Sequence, residues 1–489
     1  MIEDSFKSLP KGWVCTRLED CVDILDSQRV PINAEERKKR KGNIPYYGAT
    51  GQVGWIDDFI FDEELLLLGE DGAPFLDPHK PRAYIIRGKS WVNNHAHVLR
   101  AIAGITSNST LCYYLNIFDF HSYVSGTTRL KLNQSPMRQI PIPLPPLPEQ
   151  HRIVAKIEEL FTMLDAGIEA LKKIKAQLKR YRQAVLKYAF EGKLTQEWRE
   201  VNKGKIEPAS VLLERIKEER KKNMKGKNVG ANRRVRPASG QTHWSAPTKE
   251  LLPEGWEWTT LGEVTDYVES VNPKIEPNKE FVYLDIASID NSQQRITNPK
   301  NYCGKDAPSR ARQLVKSGDI LFSTVRTYLK NIAMVNEIYG GQIASTGFCV
   351  IRPLPKIQNR FIFWLVQTDD FLNPLNQLQR GTSYPAVRDS DVFPQIIPLP
   401  PFYEQKKIVE EIESHLFMAD NIEKVAEQSL KQSDRLRQSI LKRAFEGKLV
   451  PQDPTDLPAV ELLRQIKKER EVLDLPAVRQ ATGRKESKK

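Results

Sequence analysis

Apolar residues recur with helical spacing in two long stretches of the chain. In the first they fall in steps of three and four, at Ile157, Leu160, Leu164, Gly167, Leu171, Ile174, Leu178, Tyr181, Val185 and Tyr188. This spacing predicts a long helix with a coiled-coil seam. A more polar series predicts a second such helix, at Ile412, His415, Ala419, Ile422, Ala426, Ser429, Ser433, Leu436 and Ile440.

Small and polar residues in the second series suit a bulkier partner strand, so the two helices are predicted to pair with each other. Antiparallel packing with pseudo-twofold symmetry is the economical geometry, because the chain must travel from one helix end to the other. A helix of roughly 40 residues spans about 60 Å, against about 34 Å for one turn of DNA. The alternative is that each helix packs only on its own domain.

The chain also repeats one plan twice. Four motifs return: Leu9–Trp13 as Leu252–Trp256, Pro143–Pro146 with Glu149 and Gln150 as Pro398–Pro401 with Glu404 and Gln405, Ala189–Leu194 as Ala444–Leu449, and Pro208, Ala209, Leu212 and Leu213 as Pro458, Ala459, Leu462 and Leu463. Each copy of the fourth motif is followed by a charged stretch with helical character. The first motif recurs after 243 residues and the second and third after 255, so the segment that joins the second to the third has a fixed length. The sequences between the motifs are nearly unrelated, which predicts a constant scaffold carrying two different inserts.

Composition places the chain among globular proteins of several domains. It has 489 residues, of which 40% are hydrophobic and 28% charged, and it has no apolar run long enough to cross a membrane. The first residues lack the features of a signal peptide, so a cytoplasmic location is expected. Five scattered cysteines indicate neither a disulfide framework nor a zinc site. The net charge of +12 is compatible with a polyanionic partner.

The order of the motifs, LPxGW, a variable insert, PLPP with Glu-Gln, a heptad helix and AFEGKL, all repeated, resembles the specificity subunit of type I restriction-modification systems. Phrases within the inserts are similar too, at Ile44–Gly51, Leu66–Gly72, Trp91–Arg100, Ser317–Leu321 and Thr324–Arg326. The resemblance covers nearly the whole chain. It implies two α+β target recognition domains, each reading one half of a bipartite, asymmetric DNA site, with the helical pair setting the spacer.

The resemblance also implies the partners of the chain. They are double-stranded DNA, two modification subunits that methylate adenine with S-adenosylmethionine, and two ATP-driven restriction subunits; no membrane is involved. No cofactor is expected on this chain, since S-adenosylmethionine, ATP and magnesium would bind the partner subunits. The predicted segments are recognition domain 1 (1–147), central helix (148–195), basic linker (196–250), recognition domain 2 (251–399), second helix (400–448) and charged tail (449–489). The linker and the tail depart from the family pattern.

A search for catalytic motifs gives no positive signal. An Asn/Asp-Pro-Pro-Tyr/Phe loop for adenine methylation is missing, and Gly88-Lys89-Ser90 lacks the upstream glycine of a phosphate-binding loop. His95 and His97 lie two residues apart and would share one face of a strand. They could ligate metal, make structural hydrogen bonds or contact DNA; a third ligand is not evident, and we predict no metal site.

Candidate DNA contacts fall late in each insert, where Gly126–Asn133 and Gly381–Arg388 occupy the same point of the repeat. The candidates in these loops are Thr127, Thr128, Arg129, Lys131, Thr382, Ser383, Tyr384 and Arg388. Further candidates are Tyr46, Tyr47, Thr50, Arg310, Arg312, Arg326, Tyr328 and Lys330. Such groups can pair with phosphates or base edges. The alternatives are a plain surface turn for the two loops and half-buried sheet positions for the tyrosines.

Two rival functions stay open at this point. The chain could be a restriction or modification enzyme acting alone, or a coiled-coil assembly protein that does not bind nucleic acid. The first requires product formation without partners, and the second requires that retention on DNA be insensitive to salt.

Overall fold

The computed structural model describes residues 9–225 and 252–473, and the chain divides into two compact units. The first unit comprises residues 1–173 together with 426–489, and the second comprises residues 174–425. The division falls inside both predicted long helices, so each unit contains one end of each helix. Both units mix helices and sheets, as the predicted α+β class requires.

The first unit is built on short strands. They are β1 (Val14–Arg17), β2 (Val22–Ile24), β3 (Ile44–Gly48), β4 (Gly51–Ile56), β5 (Phe61–Asp62), β6 (Leu65–Gly69), β7 (Ala83–Ile86), β8 (Lys89–Val92), β9 (Ala96–Ala101) and β10 (Pro141–Leu144). One sheet has the order β2-β9-β6-β7 and another the order β4-β3-β8-β5, while β1 pairs with β10. Neighbouring strands are antiparallel except β3 and β8, which run parallel.

Four successive leucines form the centre of β6, and their burial explains this unbroken apolar run. Leu66 and Leu68 pack into the large core that also holds the long-helix ends of this unit. Leu65 and Leu67 point to the opposite face and pack into a second, smaller core. Because side chains alternate along a strand, a strand covered on both faces needs apolar residues at every position.

The helices follow in chain order. They are α1 (Ala34–Lys39), α2 (Asn108–Leu115), α3 (Gln134–Arg138), α4 (Leu147–Phe190), α5 (Gln196–Val201), α6 (Ala209–Lys225), α7 (Asn359–Leu365), α8 (Asp369–Gln377), α9 (Asp389–Val392), α10 (Phe402–Phe445) and α11 (Ala459–Leu473). The long helices α4 and α10 each have 44 residues. Each begins just after a proline-rich segment, Pro143–Pro146 or Pro398–Pro401, which is unfavourable in a helix interior.

The second unit repeats the topology of the first with different residues. Its strands are β11 (Glu257–Thr260), β12 (Thr265–Asp266), β13 (Glu280–Leu284), β14 (Ile289–Asp290), β15 (Arg295–Ile296), β16 (Lys300–Cys303), β17 (Ala311–Leu314), β18 (Ile320–Ser323), β19 (Ile332–Met334), β20 (Ile343–Ser345), β21 (Phe348–Pro353) and β22 (Ile396–Leu399). The sheet orders are β12-β21-β18-β19 and β16-β13-β20-β17, with β11 paired to β22. Even the parallel pair recurs, as β13 and β20. The β14-β15 ribbon has no counterpart among the described strands of the first unit.

In the first unit the start of α4 packs against the end of α10. Ile157 and Phe445 lie in the same core, and the Phe445 ring contacts Tyr114 edge-on at 5.2 Å between ring centroids. Farther along, Arg437 of α10 pairs with Asp165 and lies over the Phe161 ring, 4.8 Å from its centroid. The two helix segments therefore run antiparallel within this unit.

In the second unit the end of α4 packs against the start of α10. Val185 and Ile412 share one core. The Tyr181 hydroxyl contacts His415 Nδ1 at 2.7 Å, and Arg182 pairs with Asp420 at 2.6 Å. Here too the segments run antiparallel, so the predicted pairing of the two helices is confirmed within each unit.

The predicted seam is only partly buried. Its most exposed bulky members are Tyr181 (39%), Tyr188 (49%), Ile422 (49%) and Leu436 (50%). The prediction assumed a strict seam, whereas an α-helix with 3.6 residues per turn drifts by about 20° per seven residues. Positions that follow the seven-residue pattern can thus move to the edge of the contact stripe or out of it, which explains why these four side chains remain accessible.

The predicted linker, residues 196–250, was wrong in its first part. Helices α5 and α6 lie in this segment, and Leu212, Leu213 and Ile216 of α6 are buried in the core of the second unit. The Ala209 amide donates to the Gly255 carbonyl at 2.9 Å. The sequence indicated a charged helical stretch here, but its few apolar positions among many charges did not reveal that it packs into the core. Residues 226–250 of the predicted linker lie outside the described residues.

The predicted charged tail, residues 449–489, needs the same correction. Its helix α11 packs on the first unit, where Ala459 and Leu463 are buried. The Ala459 amide donates to the Gly12 carbonyl at 2.9 Å, and Asp456 pairs with Arg152 at 2.6 Å. Each unit thus receives the helix that follows a long helix in the sequence. Residues 474–489 lie outside the described part of the chain.

The repeated LPxGW motif and the Glu-Gln pair that follows PLPP meet in the core of each unit. In the first unit, Trp13 Nε1 donates to Glu149 Oε2 at 3.1 Å, and Glu149 is 1% exposed. Gln150 Nε2 donates to the carbonyl oxygens of Ile105 and Pro145, both at 2.9 Å. Glu149 Oε1 is buried without a hydrogen bond of normal geometry from any described residue. The motifs therefore form the structural frame of the repeat.

The second unit has the same junction with more partners. Trp256 Nε1 donates to Glu404 Oε2 at 2.9 Å. Glu404 Oε1 accepts from Thr195 Oγ1 at 2.7 Å and from Arg199 Nε at 2.9 Å, and Glu404 is fully buried. The buried charge of Glu404 thus has a cationic partner at hydrogen-bond distance.

A pH dependence follows from the Glu149 environment. Burial raises the pKa of the Glu149 carboxyl, although the Trp13 hydrogen bond and the charge of Arg152 oppose the shift. A raised folded-state pKa stabilises the fold below the unfolded value, about 4.3, and this contribution is lost as pH rises through the folded pKa. We therefore expect Glu149→Gln to gain stability relative to the parent chain as pH rises. Thermal unfolding of both proteins at mildly acidic and mildly alkaline pH measures this, and a pH-independent difference would contradict it.

Within residues 9–225 and 252–473, no helix combines the length and the apolar character needed to cross a membrane.

Candidate nucleic-acid interface

The predicted loop of the first insert lies against the segment that follows β6. The Leu132 amide donates to the Glu70 carbonyl at 2.8 Å, and the Gly72 amide donates to the Leu130 carbonyl at 2.9 Å. Gly126 has φ +96°, and a Cβ there would lie 2.5 Å from the Arg129 carbonyl oxygen. This position therefore requires glycine. The loop ends in a tight turn that exposes the two candidate threonines, Thr127 and Thr128.

The two basic candidates of this loop are held by carboxylates. Arg129 Nε lies 2.7 Å from Asp71 Oδ1, and its side chain is 60% exposed. Lys131 Nζ lies 3.5 Å from Glu70 Oε1, and its side chain is 48% exposed. The carboxylates fix the direction of both cations and cancel much of their long-range charge. Such an arrangement suits directional hydrogen bonding to a partner better than general attraction.

His97 ties this loop to the sheet. It is 1% exposed, with Nδ1 2.6 Å from Asp26 Oδ2 and Nε2 2.8 Å from the Leu132 carbonyl oxygen. Burial disfavours the charged form of Asp26, but hydrogen bonds from His97 and the Val98 amide outweigh burial and lower the pKa of Asp26. The contacts of His97 therefore favour the structural interpretation of this residue.

Glu70 is a further potential metal ligand, which the sequence did not reveal. One ligand atom each of Asp26, Glu70 and His97 lies within 4.8 Å of the others. However, Arg29 Nη1 lies 2.7 Å from Glu70 Oε2, and Arg29 Nη2 lies 3.4 Å from Asp26 Oδ2. The guanidinium already balances the carboxylates, so this group does not fit a metal ion well. His95 is more accessible, and its Nδ1 lies 3.3 Å from Asp71.

The second unit places its loop in the same way, against the segment after β18. The Arg326 amide donates to the Pro385 carbonyl at 2.8 Å. The Arg326 guanidinium lies 5.0 Å from the centroid of the Tyr384 ring, and its Nη2 donates to the Ser383 carbonyl at 3.1 Å. Tyr384 is 72% exposed. The structure thus brings together Arg326, Ser383 and Tyr384, which the sequence named separately, with Thr382 exposed beside them.

The remaining candidates of the second insert are more dispersed. Tyr328 is 53% exposed, in a short turn between two left-handed residues, Arg326 and Lys330. Lys330 Nζ is engaged by the Gln367 carbonyl and by Asp369, each at 3.0 Å.

Three arginine candidates lie at other positions. Arg310 and Arg312 belong to the β17 segment of the second sheet, and Arg312 Nε donates to the Ser309 carbonyl at 3.1 Å. Arg388 is exposed at the start of α9, where its amide donates to Asp391 at 2.9 Å. Among the described contacts, none joins Arg310 or Arg312 to the loop that holds Tyr384.

Tyr46 is a core residue, which corrects its assignment as a DNA contact. It is 1% exposed and packs with Ile56 and Trp91, while its hydroxyl donates to the Ile32 carbonyl at 3.4 Å. Burial raises the pKa of the Tyr46 hydroxyl despite the nearby charge of Arg37. Adjacent residues of a strand point to opposite faces, and here Tyr46 faces inward.

The other two candidates near β3 keep some accessibility. Tyr47 is half-buried, with its ring 6.1 Å from that of Tyr84 between centroids. Thr50 is exposed in the turn between β3 and β4. The Ala49 carbonyl of this turn approaches Gly69, where a Cβ would lie 3.1 Å from it. The turn is therefore a neighbour of the Glu70 segment that holds the loop at Arg129.

Sequence reasoning missed a basic segment of the first unit. Residues 37–41 are five successive basic residues, Arg-Lys-Lys-Arg-Lys, at the end of α1. Runs of this kind are a known signal for polyanion binding. The segment ends two residues before β3, at the end of the β3-β4 hairpin opposite the turn that carries Thr50.

Comparison with known proteins gives the family. A family profile described as "Type I restriction modification DNA specificity domain" matches residues 10–180 and 253–432. The type I restriction enzyme EcoDI specificity subunit of Escherichia coli is 25% identical over 479 residues, 94% of this chain and 96% of that protein. The type I restriction enzyme MjaVIII specificity subunit of Methanocaldococcus jannaschii is 22% identical over 475 residues, 91% of this chain and 96% of that protein.

A solved structure is similar over a shorter span. The crystal structure of the HsdS subunit from Thermoanaerobacter tengcongensis is 45% identical where it aligns, over 35% of this chain and 44% of that chain, with a TM-score of 0.33. The two segments matched by the family profile each begin at an LPxGW motif and end inside a long helix, and together they cover more than half of the chain. The chain therefore belongs to the family of type I restriction-modification DNA specificity subunits.

Proposed function

We propose that this chain reads a bipartite, asymmetric DNA sequence, with each unit reading one half. The observation that carries the proposal is the pair of loops at Arg129 and Tyr384. Both occupy the same place in one repeated topology, yet one offers an arginine and a lysine held by carboxylates and the other an arginine stacked on an exposed tyrosine. A common scaffold with different chemistry at equivalent positions suits the recognition of two different half-sites.

The long helices are proposed to set the unread spacer between the half-sites. Helices of 44 residues are each about 66 Å long at 1.5 Å per residue. This length is of the order of two turns of DNA. The helix ends are anchored in the cores of the units, for example at Ile157 in the first unit and at Ile412 in the second. A change in helix length should therefore alter the preferred spacer.

The chemistry is proposed to reside in partner subunits. The chain would position two modification subunits, which methylate adenine with S-adenosylmethionine, and two ATP- and magnesium-dependent restriction subunits. The proposal rests on the family of the chain and on the lack of methylation or nucleotide-binding motifs in its sequence. The candidate contacts outside the two loops, Thr50, Arg310 and Arg312 among them, are part of this proposal.

An exchange of inserts tests the reading of two half-sites. The segment between Trp13 and Pro143 is replaced by that of a relative, and the segment between Trp256 and Pro398 is replaced in a second chimera. Each chimera is produced with the modification subunit, and the methylated adenines are mapped on genomic DNA. We expect each exchange to change one half-site completely and to leave the other half-site and the spacer unchanged. A change in both halves, or in neither, contradicts the proposal.

Two controls separate the rival functions. The purified chain alone is incubated with DNA, S-adenosylmethionine and magnesium, and a methylated or cleaved product would identify an enzyme that acts without partners. Binding of the parent chain to duplex DNA is also followed from low to moderate salt. Affinity that is unaffected by salt would favour an assembly protein without phosphate contacts.

A further inference from the structure

The basic segment, residues 37–41 of the first unit, is held rigidly by its two arginines. The Arg37 guanidinium lies 4.9 Å from the centroid of the buried Tyr46 ring. The Arg40 guanidinium lies 4.7 Å from the centroid of Trp91 and pairs with Asp57 at 2.7 Å. Stacking of both arginines on core aromatics fixes the backbone of the segment, so its other side chains project from a defined position.

The three lysines of the segment are exposed and uncompensated. Within the described residues, Lys38, Lys39 and Lys41 are all exposed and form no ion pair. This distinguishes them from Lys131 of the candidate loop, which lies 3.5 Å from Glu70, and from Lys330, which lies 3.0 Å from Asp369. The three positive charges thus create a local potential that the paired cations do not.

The corresponding segment of the second unit carries no excess of positive charge. It precedes β13, which has the place of β3 in the sheet, between an antiparallel and a parallel neighbour. Residues 274–280 contain two lysines and two glutamates, whereas residues 35–41 contain two glutamates and five basic residues. Lys279 is moreover paired with Glu276 at 2.6 Å. The charge excess is therefore specific to one half of the repeat.

We propose that Lys38, Lys39 and Lys41 bind phosphates of the DNA duplex beside the half-site of the first unit, so that this unit supplies the larger share of sequence-independent affinity. The inference rests on the proposed DNA-reading function. Duplex DNA carries one charge per about 1.7 Å of its axis, and each neutralised phosphate releases bound counterions. Lysine is a point charge that binds phosphate without reading bases. The two arginines are held on aromatic rings, whereas the three lysines are exposed and can bind phosphates.

The test compares salt dependence in the full chain assembled with its modification subunit. Binding of a cognate duplex and of a scrambled duplex is measured from about 50 to about 200 mM salt. For the Lys38→Ala/Lys39→Ala/Lys41→Ala variant we expect the slope of log affinity against log salt to fall by about 2.7, at about 0.9 per contact. Affinity at about 0.1 M salt should fall on the order of 100-fold for both duplexes alike.

Two matched variants separate charge from shape and one half of the repeat from the other. Lys38→Arg/Lys39→Arg/Lys41→Arg keeps the charges and should restore the slope. Lys274→Ala/Lys279→Ala removes two lysines from the corresponding segment and should leave the slope within about half a unit of the parent value, less than one lost contact. An equal slope change in both alanine variants would overturn the proposed asymmetry.

The outcomes distinguish this inference from the function on which it rests. If the parent complex does not bind DNA, the proposed function fails. If the parent binds and the triple alanine variant keeps its slope, the phosphate contacts are refuted. A loss restricted to the cognate duplex would show base reading instead, and it would equally overturn the proposal.

Discussion

Phe445→Ala is expected to destabilise the first unit by about 3–5 kcal/mol, the usual cost of emptying a buried phenylalanine site. Phe445 is the last residue of α10 and is 8% exposed. It packs in the core of the first unit against Tyr114, although residues 252–425 of its repeat lie in the second unit. Hydrogen exchange measured along the chain should show faster opening of the strands between residues 14 and 144, with the second unit protected as before.

Leu436→Ala provides the matched control for this prediction. Leu436 lies in the same helix but is 50% exposed, so its truncation should cost less than about 1 kcal/mol. We expect the first unit to lose protection because it contains the end of α10, although α10 belongs to the second repeat in the sequence. Faster exchange in residues 257–399 instead of the first unit would mean that the end of α10 belongs to the second unit.

Glu404→Gln is expected to destabilise the second unit by about 3–5 kcal/mol, because it breaks an ion pair whose carboxylate is fully buried. The carboxylate accepts three hydrogen bonds, from Trp256, Thr195 and Arg199. An amide has only one oxygen, so its NH₂ group would face a donor. Arg199, whose side chain is 16% exposed, would also lose its charge partner. Chemical denaturation with intrinsic tryptophan fluorescence reports the change, since Trp256 lies at the junction.

The equivalent Glu149→Gln substitution is the internal control. Trp13 donates to one oxygen of Glu149 and the other oxygen lacks a normal hydrogen bond among the described residues, so an amide can keep the first contact and breaks no close ion pair. We expect a cost of roughly 1 kcal/mol or less near neutral pH. Equal losses for the two substitutions would show that the tryptophan contact, and not the ion pair, carries the stability of the junction.

The two tryptophan–glutamate junctions share one motif but differ in the partners of the buried glutamate. Thr195 and Arg199 follow the first long helix, and the residues 255 positions later are Val450 and Pro454, which can supply neither the hydroxyl nor the guanidinium. The repeat preserves the tryptophan and the glutamate, and the segment after each helix decides how well the buried carboxylate is satisfied. The halves of the chain are therefore alike in topology and unequal in electrostatics.

The sequence predicted that the two candidate loops are equivalent, but it did not predict their contacts. The constant offset of 255 residues placed the loops at Arg129 and Tyr384 at the same point of the repeat. It could not predict that each loop docks on the segment after a central strand, β6 or β18, because that contact joins residues more than fifty positions apart. Tyr46 was wrong as a DNA contact since the choice between the two faces of a strand depends on the neighbouring strands.

The sequence by itself determined the duplication, the two long helices, their pairing and the family of this protein. The duplication, the helices and the family follow from local spacing and from recurring motifs, and the pairing follows from the complementary sizes of the residues in the two seams. The tertiary structure alone decided that each unit takes one end of each long helix, and that α6 and α11 belong to the cores near Leu213 and Leu463. Whether the few apolar residues of a charged helix are buried depends on the surface against which the helix packs. The spacing of residues along the sequence does not identify that surface.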